Sequence, residues 1–435
     1  MHRGIRASTG PRYLEHTDSR MSVERELARR FIYEAPPRDR QLRPVVRISS
    51  LGIGLGVMLI LLSFFIIDGF KQEIHAKING FSGSIRISSP SNVYGQYSQP
   101  LTLHDGVAAE IRELCGGAGV FTFIDQMALL KTDSAYSGVQ LHGVDSLYNR
   151  DFYAGYLREG RLPDFSSSDP SGETLLSRSL ADHLGLRVGD EILAYFTRDS
   201  GMRVRKLEVA GLFETGFPEY DQHLGVTDVR LLRGVNGWEA NQVGGVEVHY
   251  KGRKETAAAY SRLFDYFANR YANHGEEYTM HTSEEMNRGL LGWLSLLDAN
   301  VGLILVLLIA VAGMTMITGV VVLILQKVNA IATLKALGQR NASLRKVFRY
   351  MAVEVLWRGL LWGNIFAIAL AMVQKIGKPI TLDPSQYYMS YVPIVIDPVT
   401  LVLTNLLVTA VIYLLILIPT SIIAGIRPSN TLRFD

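Results

Sequence analysis

Asn300-VGLILVLLIAVAGMTMITGVVVLI-Leu325 is a run of 26 residues without one Asp, Glu, Lys or Arg. A helix rises about 1.5 Å per residue, so about 20 apolar residues span the hydrocarbon core of a bilayer, and this run crosses it with tilt to spare. Two other stretches behave alike. Ile48 to Ile67 and Val399 to Ile426 are also free of charge. A further stretch, Gly359 to Val373, has only 15 charge-free residues and reaches the required length if Met351 to Arg358 is included. Glu354 and Arg358 then lie one helical turn apart on one face, where they can pair while Arg358 reaches towards the aqueous boundary.

The chain therefore reads as a membrane protein with four transmembrane α-helices and a large α+β domain between helices 1 and 2. The expected divisions are an N-terminal tail with an amphipathic helix over 1–44, a first span over 45–67, the soluble domain over 68–290 and a second membrane part over 291–435. That last part holds spans at about 298–325, 351–373 and 399–426. Met21 stands just before the first helical pattern and is a candidate start.

Lys and Arg in short loops set direction across a membrane. Arg38, Arg40, Arg43 and Arg47 precede the first span, and the 326–350 loop carries Lys327, Lys335, Arg340, Arg345, Lys346 and Arg349 with no acidic residue. The 374–398 loop instead balances Lys375 and Lys378 against Asp383 and Asp397. Both termini and the basic loop are expected in the cytoplasm, with the soluble domain and the 374–398 loop outside.

The net charge of +3 and the absence of basic clusters interleaved with aromatic residues argue against nucleic-acid binding. Cys115 is the sole cysteine, which excludes an internal disulfide. In the soluble domain, Ser84 to Ser88 and Gly244 to Tyr250 read as strands, and Leu175 to Gly185 and Glu255 to Arg270 as helices. His75, His104, His142, His183, His223, His249, His274 and His281 are scattered without metal-ligand spacing, and they read as surface or packing residues. Glu214, Glu219 and Asp221 gather in one loop and read as solvated. No Gly-x-Ser-x-Gly elbow and no Gly-x-x-x-x-Gly-Lys-Ser/Thr loop occurs, so neither catalytic nor cofactor residues are expected, and nucleotide would be held by another chain.

Gly52 and Gly56 in the first span, and Gly359 and Gly363 in the third, each form a small-x-x-x-small face that lets helices approach closely. Between the second and third spans, 328–338 reads as a short helix with Ile331, Leu334 and Leu337 along one side, closed by Gly338, with Asn341 able to cap the next helix. A short helix with basic flanks suits docking to a cytoplasmic partner and equally suits lying on anionic lipid.

Ile331-Ala-Thr-Leu-Lys-Ala-Leu-Gly338, followed by Leu344-Arg-Lys-Val-Phe348, resembles a segment of the FtsX-like, or MacB/LolC/LolE-type, ABC transporter permeases. Leu62-SFFIIDG-Phe70, Leu176-SRSLADHLGLRVG-Asp190 and the Arg427 to Phe434 stretch resemble further family signatures, in order, from about Leu27 onward. The resemblance is greatest to the lipoprotein-releasing permeases, LolC and LolE. It implies a cell inner membrane location, and it makes 328–338 the coupling helix, with Ile331, Leu334, Lys335, Leu337 and Gly338 meeting a cytoplasmic ABC ATPase subunit. It also implies a second permease, the same or paralogous, with Gly52 and Gly56 near the cavity between the two, a lipoprotein substrate, and a periplasmic chaperone that accepts it. In LolC the chaperone is met by a long hairpin, whereas Tyr195 to Arg205 here reads as short and turn-like. The alternative is a division-type or efflux-type relative that regulates a periplasmic partner or exports another substrate.

Overall fold

The computed structural model describes residues 23–33, 42–92, 99–104, 106–116, 118–133, 135–146, 148–198, 201–250, 252–274, 277–421 and 423. Arg38, Arg40 and the Arg427 to Phe434 stretch lie outside these. Two compact units are present: one comprises residues up to Phe64, Val301–Ala371 and Ile396 onward, the other Phe65–Asn300 and Met372–Val395.

The apolar unit begins with α1 (Val23–Tyr33), and α2 (Leu42–Ser82) contributes to both units. At 41 residues α2 is about 60 Å long. The expected first span ends at 67, yet the helix continues 15 residues further, because Ile74, Ile78 and Phe81 recur on one buried face and carry it into the soluble core. Among the described residues, four helices are long and apolar enough to cross a membrane: Val46–Ser82, Asp298–Gln326, Asn341–Gly377 and Pro398–Ser421. The third is a single helix of 37 residues, so the short charge-free run lies inside a longer rod. The fourth is described as far as Ser421, its expected end at 426 lying outside the described residues, and Pro419 within it lacks a backbone donor.

In the soluble unit, α2 is followed by β1 (Ile85–Ser88), β2 (Leu101–Thr102), α3 (Val107–Cys115), β3 (Gly119–Lys131) and β4 (Tyr136–Val144). Next come α4 (Arg150–Tyr156), β5 (Leu157–Gly160), β6 (Glu173–Ser177), α5 (Arg178–Leu184), β7 (Glu191–Arg198) and β8 (Gly201–Phe213). The chain continues through α6 (Pro218–Asp221), β9 (Leu224–Asp228), α7 (Val229–Asn236), β10 (Gln242–Val243) and β11 (Gly245–His249). It closes with α8 (Arg253–His274), β12 (Thr279–Thr282), α9 (Ser283–Met286) and the start of α10 (Arg288–Gln326). Beyond α10 lie α11 (Val328–Ala336), α12 (Asn341–Gly377), α13 (Pro384–Tyr387) and α14 (Pro398–Ser421).

One large sheet runs β12-β1-β11-β3-β4-β9-β6-β8-β5, with β7 joined to both β3 and β8. Pairing is antiparallel except for β4 with β9 and β6 with β8. The strands expected at 84–88 and 244–250 are β1 and β11. The stretch expected as a helix from Leu175 is a strand up to Ser177: Leu175, Leu176 and Thr174 are all fully buried, as in a strand covered on both faces. Ser177 then caps α5 by accepting from the Leu180 N–H at 3.1 Å, and Gly185 ends it at φ +69°.

Residues 372–395 pack into the soluble unit. Lys77, 3% exposed, donates to the carbonyls of Thr215 at 2.7 Å and Tyr388 at 2.6 Å, and Met389 enters the core beside Ile74 and Phe217. The Val395 N–H bonds the Phe65 carbonyl at 3.1 Å.

Hydropathy passes over one pair within the apolar unit. Asn364 of α12 and Asn405 of α14 exchange amide hydrogen bonds at 2.8 and 2.9 Å, and each also donates to the carbonyl four residues earlier. Asn364→Leu leaves Asn405 half satisfied and is expected to cost about 1 kcal/mol, with the Asn364→Leu/Asn405→Leu double variant recovering most of it, read as melting temperatures in detergent. Additive losses in the double variant would show that the pair does not act as a unit.

Candidate functional site

The loop between the second and third long helices is built on α11. Ile331 and Ala332 are fully buried, Leu334 is half-buried, and Leu337 is 79% exposed. Ile331, Leu334 and Leu337 therefore do not form a single buried side. The outward face is instead Asn329, Thr333, Ala336 and Leu337, continued by Arg340. Gly338 adopts φ +87°, a left-handed conformation that lets the chain leave α11 sharply and enter α12 at Asn341.

Lys335 points inward. Its amine donates to the Ile423 carbonyl at 2.7 Å, tying α11 to the chain just beyond α14. Leu344, Val347 and Phe348 in the first turns of α12 are buried as well. The α1 helix also reaches this region: Ser343 donates to Glu24 at 3.1 Å, and the Lys327 amine lies 5.4 Å from the Phe31 ring centre. Sequence reading did not foresee that α1 supports the loop.

The glycines pack within the chain. A Cβ on Gly52 would come within 2.8 Å of Thr315, and one on Gly56 within 3.3 Å of Ala312, so this face of α2 meets α10. Gly359 and Gly363 of α12 meet the opposite side of α2, where their added Cβ atoms would come within 2.8 Å of Ile53 Cβ and 2.7 Å of the Gly54 carbonyl oxygen. The face of α2 left exposed is Ile48, Leu51, Leu55 and Leu59. Glu354 and Arg358 form an ion pair at 3.2 Å, each side chain about one-third exposed.

The soluble unit holds a buried charge network assembled from four strands. Arg86 of β1 bonds Asp125 of β3 at 2.8 Å and also Glu247 of β11. His142 of β4 pairs with Asp125 at 2.7 Å and lies 3.7 Å from Glu247. Two cations thus face two carboxylates. Burial alone would raise Asp125 and Glu247, but Arg86 and His142 outweigh it, holding Asp125 well below the usual carboxylate range and Glu247 at about 2. Burial would lower His142, but the two carboxylates prevail and raise it. His142 is a packing residue as expected, and its two carboxylate neighbours favour its protonated form.

The acidic loop is not uniformly solvated. Asp221 is 6% exposed and accepts from Thr215 Oγ1 at 2.7 Å and from the N–H groups of Thr215, Gly216 and Phe217. It closes the turn before α6. Glu219 accepts from the Tyr388 hydroxyl at 3.0 Å, while Glu214 pairs with Arg158 at the surface.

The stretch expected to be turn-like, Tyr195 to Arg205, is a strand-paired hairpin. β7 and β8 stay in register from Glu191–Glu208 to Arg198–Gly201, with positions 199–200 outside the described residues. Met202 and Val204 are 65% and 40% exposed near its tip.

The model of the MacB-like periplasmic core domain matches residues 48–262, and that of the FtsX-like permease C-terminal domain matches residues 301–428. Among curated proteins, the lipoprotein-releasing system transmembrane protein LolC of Xylella fastidiosa is 24% identical over 89% of this chain and 93% of its own length. LolC of Neisseria meningitidis is 22% identical over 95% of this chain and all of its own, and LolE of Haemophilus influenzae is 20% identical over 92% and 98%. Among solved structures, the periplasmic region of MacB from Actinobacillus actinomycetemcomitans covers 49% of this chain and 95% of its own at 14% identity and a TM-score of 0.35. The extracellular domain of the ABC-type transporter YknZ covers 46% and 99% at 17% identity and a TM-score of 0.31.

Proposed function

The chain is an ABC transporter permease of the FtsX/MacB type, with a periplasmic α+β domain between its first two membrane helices, and from that premise we propose that it releases lipoproteins from the inner membrane. A separate ATPase supplies the energy by gripping α11. The observation that carries this reading is the division of α11 into two faces. Asn329, Thr333, Ala336 and Leu337 are open to a partner, while Ile331, Ala332 and Lys335 hold the helix to its own unit. A force applied to the open face then pulls on the rest of the unit through the Lys335–Ile423 bond rather than dissipating in a loose loop.

In this reading α11 and both termini face the cytoplasm. A second permease, the same or paralogous, completes the complex against the exposed stripe Ile48, Leu51, Leu55 and Leu59 of α2. The substrate is a lipid-anchored protein, and the projecting β7–β8 hairpin offers a periplasmic chaperone its contact.

The informative substitution is at Leu337, since Lys335 is engaged with Ile423 and its loss would disturb the fold. Leu337→Asp is expected to reduce co-purification of the ATPase at least about tenfold, equivalent to about 1.4 kcal/mol of binding, without changing the melting temperature. Unchanged co-purification would remove α11 as the coupling element. The FtsX-like domain also fits a regulator of a periplasmic partner. Depletion of the protein separates the readings, because only the release function predicts lipoproteins accumulating in the inner membrane.

A further inference from the structure

Strand β3 runs for 13 residues, and one of its edges is incompletely paired. β11 occupies that edge over Gly119–Phe123 and β7 over Leu129–Lys131, which leaves 124–128 with no strand paired to that edge among the described residues. The backbone there faces outward from the ladder in a known sense. The Phe123 carbonyl accepts from the Gly244 N–H at 2.8 Å, so alternate residues, Met127 among them, aim their N–H and C=O groups at this edge. On the other side Met127 stands opposite Gln140, whose own N–H goes to the His223 carbonyl at 2.7 Å. Met127 and Gln140 are therefore a non-hydrogen-bonded pair, and the Met127 N–H belongs to the break.

The break opens on a cleft of about 1230 Å³ lined by Met127, Leu129, Tyr195, Thr197, Met280 and Met286. Two polar atoms on its wall are buried without a hydrogen-bond partner: Oε1 of Gln126 and Nε2 of His281. Gln126 is 1% exposed and interrupts an otherwise apolar row of Ile124, Ala128 and Leu130. Its Nε2 donates to the Met127 carbonyl at 3.4 Å, which leaves Oε1 as an unmet acceptor beside the edge.

We propose that this break is a strand-acceptor site, in which an extended polypeptide segment lies along 124–128 and completes the sheet. The gap of five residues is about 17 Å at 3.4 Å per residue, the length of an ordinary strand, and its ends are already held at sheet spacing by β11 and β7. Backbone pairing through Met127 supplies affinity independent of sequence, and the three flexible thioethers accept varied side chains. An acyl chain could fill the volume but would satisfy neither the strand edge nor Gln126. The site stands independently of what the permease releases.

The test uses the full chain in detergent micelles and a fluorescent nine-residue peptide alternating threonine with valine between terminal lysines. Fluorescence anisotropy is expected to show saturable binding, and a version of the peptide N-methylated at every residue between the terminal lysines is expected to bind at least about tenfold more weakly, because it lacks the donors on both edges. Met127→Pro removes the N–H at the break while sparing the β3–β4 ladder, and is expected to weaken the unmethylated peptide about as much with an unchanged melting temperature. Absence of peptide binding, or equal binding of the two peptides to the unaltered protein, overturns the proposal.

Discussion

Gly363→Leu is expected to remove the packing of the third long helix against the first and to lower the melting temperature of the detergent-solubilised protein. The Cβ alone would stand 2.7 Å from the Gly54 carbonyl oxygen and 3.0 Å from Val57 Cβ. One turn earlier in the same helix, a Cβ on Gly359 would stand 2.8 Å from Ile53 Cβ and 3.0 Å from the Ser50 carbonyl oxygen. Backbone atoms in two long helices cannot step aside as a side chain can. The helices must separate, forfeiting the close contact that drives association in a bilayer, where burial of apolar surface supplies little. Overpacking of this kind costs about 1 to 3 kcal/mol, and more where backbone must move. Gly302→Leu in α10 provides the comparison, because a Cβ there meets nothing within 4 Å. If the two variants melt together in size-exclusion thermostability measurements, the close approach of α2 and α12 is not a source of stability.

The second large effect is expected at Arg86. Arg86→Met leaves Asp125 and Glu247 facing one another with His142 as their only cation from the quartet, and loss of one partner from a buried ionic cluster costs about 3 to 5 kcal/mol. Restoring balance with Arg86→Met/Glu247→Gln should recover part of that loss, and a double variant no better than the single would contradict the ionic reading.

The same quartet gives the soluble domain a definite pH response. The carboxylates are held below their ordinary values of 3.8 and 4.5, so their stabilisation is complete above those values and is lost as pH falls towards about 2. His142 is held above its ordinary 6.5, so its contribution is complete below 6.5 and is lost as pH rises through the higher folded value. The network therefore stabilises most between about pH 4.5 and 6.5. His142→Gln is expected to flatten the alkaline limb of a melting-temperature profile while leaving the acid limb. An unchanged alkaline limb would mean that His142 does not carry a proton.

Much of this was readable from residue order, for a physical reason. A bilayer demands length and the absence of charge, both of which are local properties of sequence, so the four spans and the Glu354–Arg358 pair follow directly. Gly185 as a helix stop is local in the same way. The quartet is not. Arg86, Asp125, His142 and Glu247 lie in four strands whose adjacency is set by sheet order, and no periodicity within a strand encodes its neighbour. The strand at Leu175 was masked because apolar residues at every fourth position fit a helix, while its buried neighbours Thr174 and Leu175 show the two-sided burial that only the sheet reveals. Asn364 and Asn405 escaped because a lone amide hardly alters mean hydropathy, and its worth depends on a partner 41 residues away. On α11 the apolar pattern suggested one side for Ile331, Leu334 and Leu337. The termination of the helix at Ala336 turns Leu337 out of that line.

The bond from Lys77 to the Tyr388 carbonyl spans 311 residues of sequence. During synthesis the first 300 residues of the chain are therefore complete while the soluble domain still lacks Met389 in its core and one of the two carbonyls that hold a buried ammonium. Its maturation waits on emergence of the segment between the third and fourth long helices. Fragments cut at the end of the soluble stretch would carry an unfinished core, and an otherwise silent defect in residues 372–395 would surface as misfolding of a domain encoded far upstream.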